Sequence, residues 1–328
     1  MFDSYRQIDQ AIERSERIVL IGHRRPDEDA LGATLSFYLY LKSLGKQVWV
    51  FLADLPPSYL YFLPAIDEVT SDPAVFGDFV DLYVFLDCAS LAQARLPAPE
   101  SAADGGQARL PEGALKHKNI LNIDHHFSNN HYGSINLVDA KASSTCEIIY
   151  KYFVYRGKDI DKQLATCLLT GILGDTSGFV HSNTNSETVH IASELVKRGV
   201  KINQLFNFVI RNKTIGGLRL WGEILSRIQI NKELSIAYTY IKEDDFRSHH
   251  VAEDELDGLA NFLNVIVDAK ATAVFHLWHD KTKASWRTKR DDLDLSAFCQ
   301  IFGGGGHKKA AGFTLDWPVV EKDGRLVV

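Results

Sequence analysis

An α/β fold with a parallel sheet, followed by a smaller α/β domain, is what this sequence of 328 residues predicts. Three observations carry the prediction. Near-continuous apolar runs alternate with helix-length stretches through the first half, as in a parallel sheet covered on both faces. The composition, 45% hydrophobic and 24% charged, is that of an ordinary globular chain. After residue 185 the composition shifts to a mostly helical stretch and then to a second, smaller set of strand signals, in keeping with a length prior of roughly two domains.

Taken in order, residues 1–20 are polar and helix-like, and 17–23 (RIVLIGH) read as a buried strand. Residues 29–45 read as a helix stopped by Gly45. Strands are expected at 46–53, 81–87 and 118–124. Helices are expected at 143–157, capped by Ser143 or Ser144, and at 161–175, capped by Asp161. Residues 93–118 are rich in Ala, Pro and Gly and contain QARLP twice; five residues are too few for a structural repeat, so this is a surface loop. Residues 186–228 read as a helical linker punctuated by Gly199, Gly216 and Gly217. Strands at 234–241, 271–280 and 283–289, a helix near 254–266 and the segment FGGGGHKKAAGF (302–313) complete the second domain. The expected boundaries are therefore 1–185, 186–228 and 229–328.

No apolar run approaches the ~20 residues of a membrane span, and the N-terminus lacks a secretory apolar region. Cys88, Cys146, Cys167 and Cys299 are widely spaced, without a C-x-x-C pair, which argues against a zinc ribbon or disulfide scaffold and suits a reducing cytoplasm. The net charge of -6 weighs against gripping long duplex DNA, where phosphate neutralisation drives affinity. It leaves short anionic ligands open, because bound metals reverse the local sign of an acidic site.

Short clusters rich in metal-ligand side chains stand at the ends of the apolar runs: His23, Asp27 and Asp29 in GHRRPDEDALG, Asp87 in VFLDCAS, Asp124, His125 and His126 in LNIDHHFSNN, and Asp175 in GILGDTSGF. Taken singly, an aspartate at a strand end is usually a helix cap, and a histidine is usually surface or satisfied core. Together they fall where an open parallel sheet puts its ligands, outside the carboxyl ends of the strands. The i, i+2 spacing of Asp27 and Asp29 lets each face a different ion, and a carboxylate such as Asp87 can bridge two. Mixed oxygen and imidazole ligands suit manganese and also accept magnesium, iron, cobalt or zinc. Two such ions would activate a bridging water and stabilise in-line displacement at phosphorus.

The run GGGGH (303–307) is expected to precede a short helix, where exposed backbone N–H groups make an anion cradle; the alternative is a flexible surface loop. It is neither a P-loop nor a dinucleotide fingerprint. His307, Lys308 and Lys309 add positive charge, and Arg287 lies on a nearby strand.

The motifs HRRPDEDALG, LDCAS, DHH and GDTSGF, in this order, resemble the four motifs of the DHH phosphoesterase superfamily, and GGGGHKKAAGF resembles the signature of its associated substrate domain. The resemblance spans about residues 15–315. It implies one metal held by His23, Asp27 and Asp87 and another held by Asp29, Asp87, His125 and Asp175. It gives His126 the scissile phosphate, as donor or general acid, and Asp124 the orientation of a ligand histidine. It places the substrate's terminal phosphate or base on Arg287, Gly304, Gly305 and His307. One departure is Glu28, where the family commonly has glycine; its side chain is expected to point to solvent and to add negative charge at the mouth.

Compact length, with nothing after residue 315 to supply a further nucleic-acid-binding domain, favours the nanoRNase and pAp phosphatase type. That implies a manganese-dependent enzyme with two divalent ions, acting on short single-stranded RNA, dinucleotides and pAp (3′-phosphoadenosine 5′-phosphate). It also implies a cytoplasmic location, no membrane and no stable protein partner; a homodimer stays open. The alternatives are a RecJ-like single-strand exonuclease, a linear or cyclic dinucleotide phosphodiesterase and, remotely, a non-catalytic nucleotide sensor, which should have lost at least one ligand.

Overall fold

The computed structural model describes residues 2–76, 79–96, 119–209, 213–256, 258–322 and 325–327. The chain divides into two compact units, Met1–Asn212 and Lys213–Val328.

The first unit begins with α1 (Phe2–Arg14), which buries Tyr5, Ile8, Ala11 and Ile12 at helical spacing. β1 (Arg17–Ile21) leads into α2 (Glu28–Ser43), which ends where Gly45 takes φ +79°, a conformation glycine adopts without steric cost. Then come β2 (Gln47–Phe51), the two-residue β3 (Val69–Thr70), β4 (Leu82–Leu86), β5 (Asn119–Asp124) and β6 (Ile135–Val138). All six strands pair in parallel in the order β3-β2-β1-β4-β5-β6. Alternate residues serve opposite faces: Ile18, Leu20, Val84 and Leu121 join one core, while Val19, Ile21, Tyr83 and Phe85 join another. Each such fully buried side chain contributes roughly 2 kcal/mol. Helices cover the first face, namely α2, α3 (Thr145–Tyr155) and α4 (Lys162–Asp175), the latter two capped by Ser144 and Asp161. Val75, Phe76, Val80, Ala94 and Leu96 cover the other.

The stretch 186–228 does not form a separate linker. α5 (Ser186–Lys197) and α6 (Ile202–Val209) fall in the first unit, where Ile191, Leu195 and Leu205 enter the main core. α7 (Ile215–Ser226) falls in the second, where Leu220 and Ile224 are buried against Ile241 and Val274. Gly216 and Gly217 lie in the first turn of α7, not between helices, and Gly217 N–H donates to the cap Thr214. The expected loop 93–118 lies outside the described residues from 97 onward; Leu91–Ala94 is a 3-10 turn.

The second unit continues with β7 (Gln229–Asn231), β8 (Ile236–Lys242), α8 (Glu243–His249), α9 (Leu259–Leu263), β9 (Ala271–Leu277), β10 (Thr282–Arg287), α10 (Leu295–Gln300), β11 (Gly305–His307), β12 (Ala310–Leu315), β13 (Val320–Lys322) and β14 (Arg325–Val327). The helix expected near 254–266 is broken: a 3-10 turn, Glu253–Leu256, precedes Gly258 at φ +86°, and only Leu259–Leu263 follows as α-helix. Six strands form a mixed sheet, β11-β12-β10-β9-β8-β7, parallel at β8–β9 and antiparallel elsewhere. α10 covers one face through Leu295 and Cys299. α7 and α9 cover the other over β8 and β9.

Candidate metal centre

His23 lies two residues past β1 and Asp87 one residue past β4, the paired strands between which the strand order reverses. At such a switch point the connections diverge and leave a crevice at the carboxyl edge of the sheet. Asp124 ends β5, with His125 and His126 next, Asp27 caps α2, and Asp175 ends α4.

Local structure fixes each carboxylate. Asp27 Oδ1 accepts from the N–H groups of Asp29 and Ala30 at 3.1 and 3.0 Å. Asp29 is buried, and its two oxygens accept from the first-turn amides of α3: Thr145 N at 2.6 Å and Cys146 N at 3.0 Å. Those amides are the positive end of the helix dipole. Gly171 lets α4 come this close, since a Cβ there would sit 2.6 Å from Asp29 Oδ1. Asp87 occupies the left-handed region at φ 60°, a strain on the order of 1–3 kcal/mol for a non-glycine residue. Its N–H donates to Ile123 O at 3.0 Å, tying it to β5.

These elements bring the ligand atoms together. Three groups each offer atoms within 4.8 Å of one another: His23, Asp27 and Asp87; Asp29, His125 and Asp175; and Asp87, His125 and His126. Asp87 faces two ways, with Oδ2 3.3 Å from His23 Nε2 and Oδ1 3.7 Å from His125 Nε2. His125 Nε2 is 3.0 Å from Asp175 Oδ2, and His23 Nε2 is 3.5 Å from Asp27 Oδ1. His23 Nδ1 lies 2.7 Å from Arg24 O, so Nδ1–H donates to the carbonyl and Nε2 is left to face the carboxylates.

Burial, then the charges of Asp87 and Asp175, push the Asp29 carboxyl well above the usual range. Burial also raises Asp175, with Asp87 and Asp27 adding to it against His125. Burial would push Asp87 up too, but His23, His126 and His125 outweigh it and hold its carboxyl well below the usual range. Burial opposes the charge on His23, yet Asp27 and Asp87 push it up to about 12. These shifts show a cluster whose carboxylates repel one another and whose imidazoles answer them. Divalent cations remove that repulsion, and the oxygen and imidazole donors fit them.

Asp124 is fully buried, and the ring it orients is that of His126, whose Nδ1 is 2.7 Å from Asp124 Oδ1. From His125 it takes only the backbone N–H, at 2.8 Å. Its other oxygen accepts from Asn129 Nδ2 at 2.6 Å, and the same Asn129 nitrogen reaches Asn122 Oδ1 at 2.8 Å. Asn122, Asn129, Thr145 and Asn183 escape the sequence reading. The Asn-rich tail of DHHFSNN and the SST before α3 were the available signals. Glu28 does not point to solvent: it is half-buried, packs on Gly174 and accepts from Tyr59 OH at 2.9 Å.

In the second unit, GGGGH does not precede a helix. Gly305–His307 is a strand that turns at Lys308 and Lys309 into β12, so there is no helix N-terminus to cradle an anion. The turn is decided by pairing with β12, which reads Ala-Ala-Gly-Phe and continues a sheet already built by β10. Strand register puts Arg287, Ala310 and His307 in one row and Ser285, Gly312 and Gly305 in the next, all on one face. Arg287 and His307 thus flank a small-residue trough two strand spacings wide, about 10 Å. Asn261 Oδ1 accepts from Arg287 Nε at 2.6 Å. Among the described residues, Gly305 has nothing within 4 Å of where a Cβ would go, whereas a Cβ at Gly304 would sit 2.1 Å from Gly312 O. Gly304 is therefore glycine for packing.

An open parallel sheet with an acidic and imidazole corner at its switch point defines the class of protein. Residues 17–172 match the DHH family, N-terminal domain, and the chain is a DHH-family protein. It is 29% identical to the bifunctional oligoribonuclease and PAP phosphatase NrnA of Thermus thermophilus, over 91% of this chain and 84% of that protein. It is 27% identical to the protein of the same name from Bacillus subtilis, over 93% of this chain and 91% of that one. The crystal structure of an exopolyphosphatase-related protein from Bacteroides fragilis shares the fold, with a TM-score of 0.83 at 24% identity, covering 95% of this chain and 91% of that one. Among the described residues, no helix is long and apolar enough to cross a membrane.

Proposed function

We propose that this DHH phosphoesterase hydrolyses very short oligoribonucleotides, dinucleotides included, to mononucleotides and dephosphorylates pAp to AMP, with manganese as its working ion. The observation that carries this reading is the joining of two ligand groups through the two oxygens of Asp87. Likeness over nearly the whole chain to bifunctional oligoribonucleases and PAP phosphatases supports the substrate class.

In this reading His23, Asp27 and Asp87 hold one ion, and Asp29, Asp87, His125 and Asp175 hold the other. When bound, the pair supplies Lewis-acid activation of water and neutralises charge on the phosphate. His126 gives Nδ1–H to Asp124, so Nε2 is the nitrogen that meets the scissile phosphate. Burial disfavours its charged form, but Asp124 and then Asp87 raise it to about 9. Asp124 is a positioning residue. Arg287, Gly305 and His307 bind the nucleotide end that is not cut, and Gly304 shapes that strand.

The test compares turnover of a labelled RNA dinucleotide, pAp and a long RNA, with manganese and with chelator. Fast manganese-dependent loss of the first two, with the long RNA nearly untouched, is expected. Processive degradation of the long RNA would move the chain to single-strand exonucleases; a dinucleotide cut without any action on pAp would move it to dinucleotide phosphodiesterases.

A further inference from the structure

We propose that Thr145 is a positioning residue that couples the two ion sites by fixing the carboxylate of Asp87 and that of Asp29 at once; this rests on the two-ion reading above. Thr145 is fully buried at the start of α3. Its hydroxyl lies 2.9 Å from Asp87 Oδ1 and its backbone N lies 2.6 Å from Asp29 Oδ2. An ionised carboxylate only accepts, so both bonds run outward from Thr145. One residue thereby holds a ligand of each group.

The hydroxyl decides how Asp87 presents its oxygens. A carboxylate turns about a broad, roughly two-fold terminal torsion. With Thr145 on Oδ1, that oxygen faces His125, at 3.7 Å, and Oδ2 faces His23, at 3.3 Å. A single hydroxyl uses one lone pair of Oδ1 and leaves the other for a cation. Without it, the side chains left paired with the carboxylate among the described residues are the imidazoles of His23, His125 and His126, and a bound pair of ions would recruit the first two as ligands.

Thr145 can do this because its own backbone is anchored. Ser144 Oγ accepts from Glu147 N at 3.1 Å and caps the helix. Asn183 Nδ2 donates to Ser143 O at 2.9 Å and to Asp175 O at 3.2 Å, tying the approach to α3 to the end of the helix that carries Asp175. The buried carboxylate of Glu147 accepts from Ser143 Oγ at 2.7 Å and Thr188 Oγ1 at 2.9 Å. Displacing α3 would therefore disturb Asp29 and Asp175 together.

The test is calorimetric titration of the metal-stripped full chain with Mn²⁺, comparing wild type, Thr145→Val and Thr145→Ser. Val keeps the shape and the N–H but removes the hydroxyl; Ser keeps the hydroxyl and loses the methyl. Loss of a hydrogen-bond partner to a metal ligand typically lowers affinity about 10- to 100-fold. Thr145→Val should therefore weaken Mn²⁺ binding by that factor, with kcat recovering as Mn²⁺ is raised, while Thr145→Ser stays within about threefold of wild type, as expected where the partner is retained. Wild-type affinity in Thr145→Val overturns the proposal and leaves the two-ion reading intact. If wild type itself binds no Mn²⁺, the two-ion reading falls and takes this proposal with it. Should Thr145→Val not fold, Thr145→Ser decides alone: a loss of about tenfold or more would mean that the methyl, not the hydroxyl, is what matters.

Discussion

His23, His125 and His126 in the first unit each face an aspartate, at 3.3, 3.0 and 2.7 Å. His276 in the second unit is just as deeply placed, yet it stacks on Trp278 at 3.9 Å and lies near Phe246, and its Nε2 has no hydrogen-bond partner among the described residues. Burial disfavours the charged form in both settings. In the first unit the carboxylates outweigh it and the histidines are pushed up; in the second, burial and Lys283 together lower His276 to about 4. The same residue type thus faces carboxylates at a strand-end cluster and serves as neutral packing on a sheet face. What separates them is whether the surrounding backbone delivers a carboxylate, not the depth of burial.

The largest expected effect breaks the first setting at Asp87, the carboxylate common to two of its ligand groups. Asp87→Ala should lower kcat on the order of a thousandfold or more, because several kcal/mol of charge stabilisation goes with it. Steady-state kinetics would check this, alongside nucleotide binding by the protein, which should persist. A second prediction concerns His276. The folded pKa of His276, about 4, lies below its unfolded value of 6.5. Between those values the unfolded chain binds a proton that the folded chain does not. Stability is therefore intact above about pH 6.5 and is lost as pH falls toward 4, by at most roughly 3–4 kcal/mol at about 1.4 kcal/mol per unit. Denaturant melts across that window should show the slope, and His276→Leu should flatten it.

Metal removal sharpens the comparison from the other side. Ions present at about a hundred times their dissociation constant stabilise the folded chain by about 2.7 kcal/mol. Exhaustive chelation should lower the melting temperature accordingly, and an unchanged curve would count against metals being part of the first unit. The smallest effect lies in the trough of the second unit. Gly304→Ala drives a Cβ to 2.1 Å from a backbone oxygen and should cost about 1–3 kcal/mol. Gly305→Ala meets nothing within 4 Å and should change stability by less than about 0.5 kcal/mol. It should nevertheless raise KM for dinucleotides, separating glycine needed for the fold from glycine needed for a ligand.

Much of the first unit was legible because its strands are apolar runs and its candidate ligands come directly after them. Asp27, Asp29 and Asp175 were readable for the same reason, since each falls at a helix end. β3 and β6 were not: they are two and four residues long, and Val69, Thr70, Ile135, Asn136 and Val138 are only half-buried, so they carry no continuous apolar signal. The helix expected after GGGGH failed because glycine marks a break in the chain without specifying the type of the next element. The outcome was decided by β12, whose partner β10 lies more than twenty residues upstream in the chain. The split of 186–228 between units was likewise hidden, because amphipathic helices declare an apolar face but not the core that receives it.

The sequence by itself determined the kind of chemistry available: oxygen and imidazole donors at strand ends, apolar runs for a sheet covered on both faces, and a glycine run near Arg287. Only the tertiary structure decided which Asp87 oxygen faces which histidine, that Asp124 turns His126, and that Thr145 reaches both Asp87 and Asp29. The reason is physical. Donor type is a property of a single residue, whereas donor direction is set by hydrogen bonds to distant chain, and Asp29 takes its grip from an amide 116 residues away.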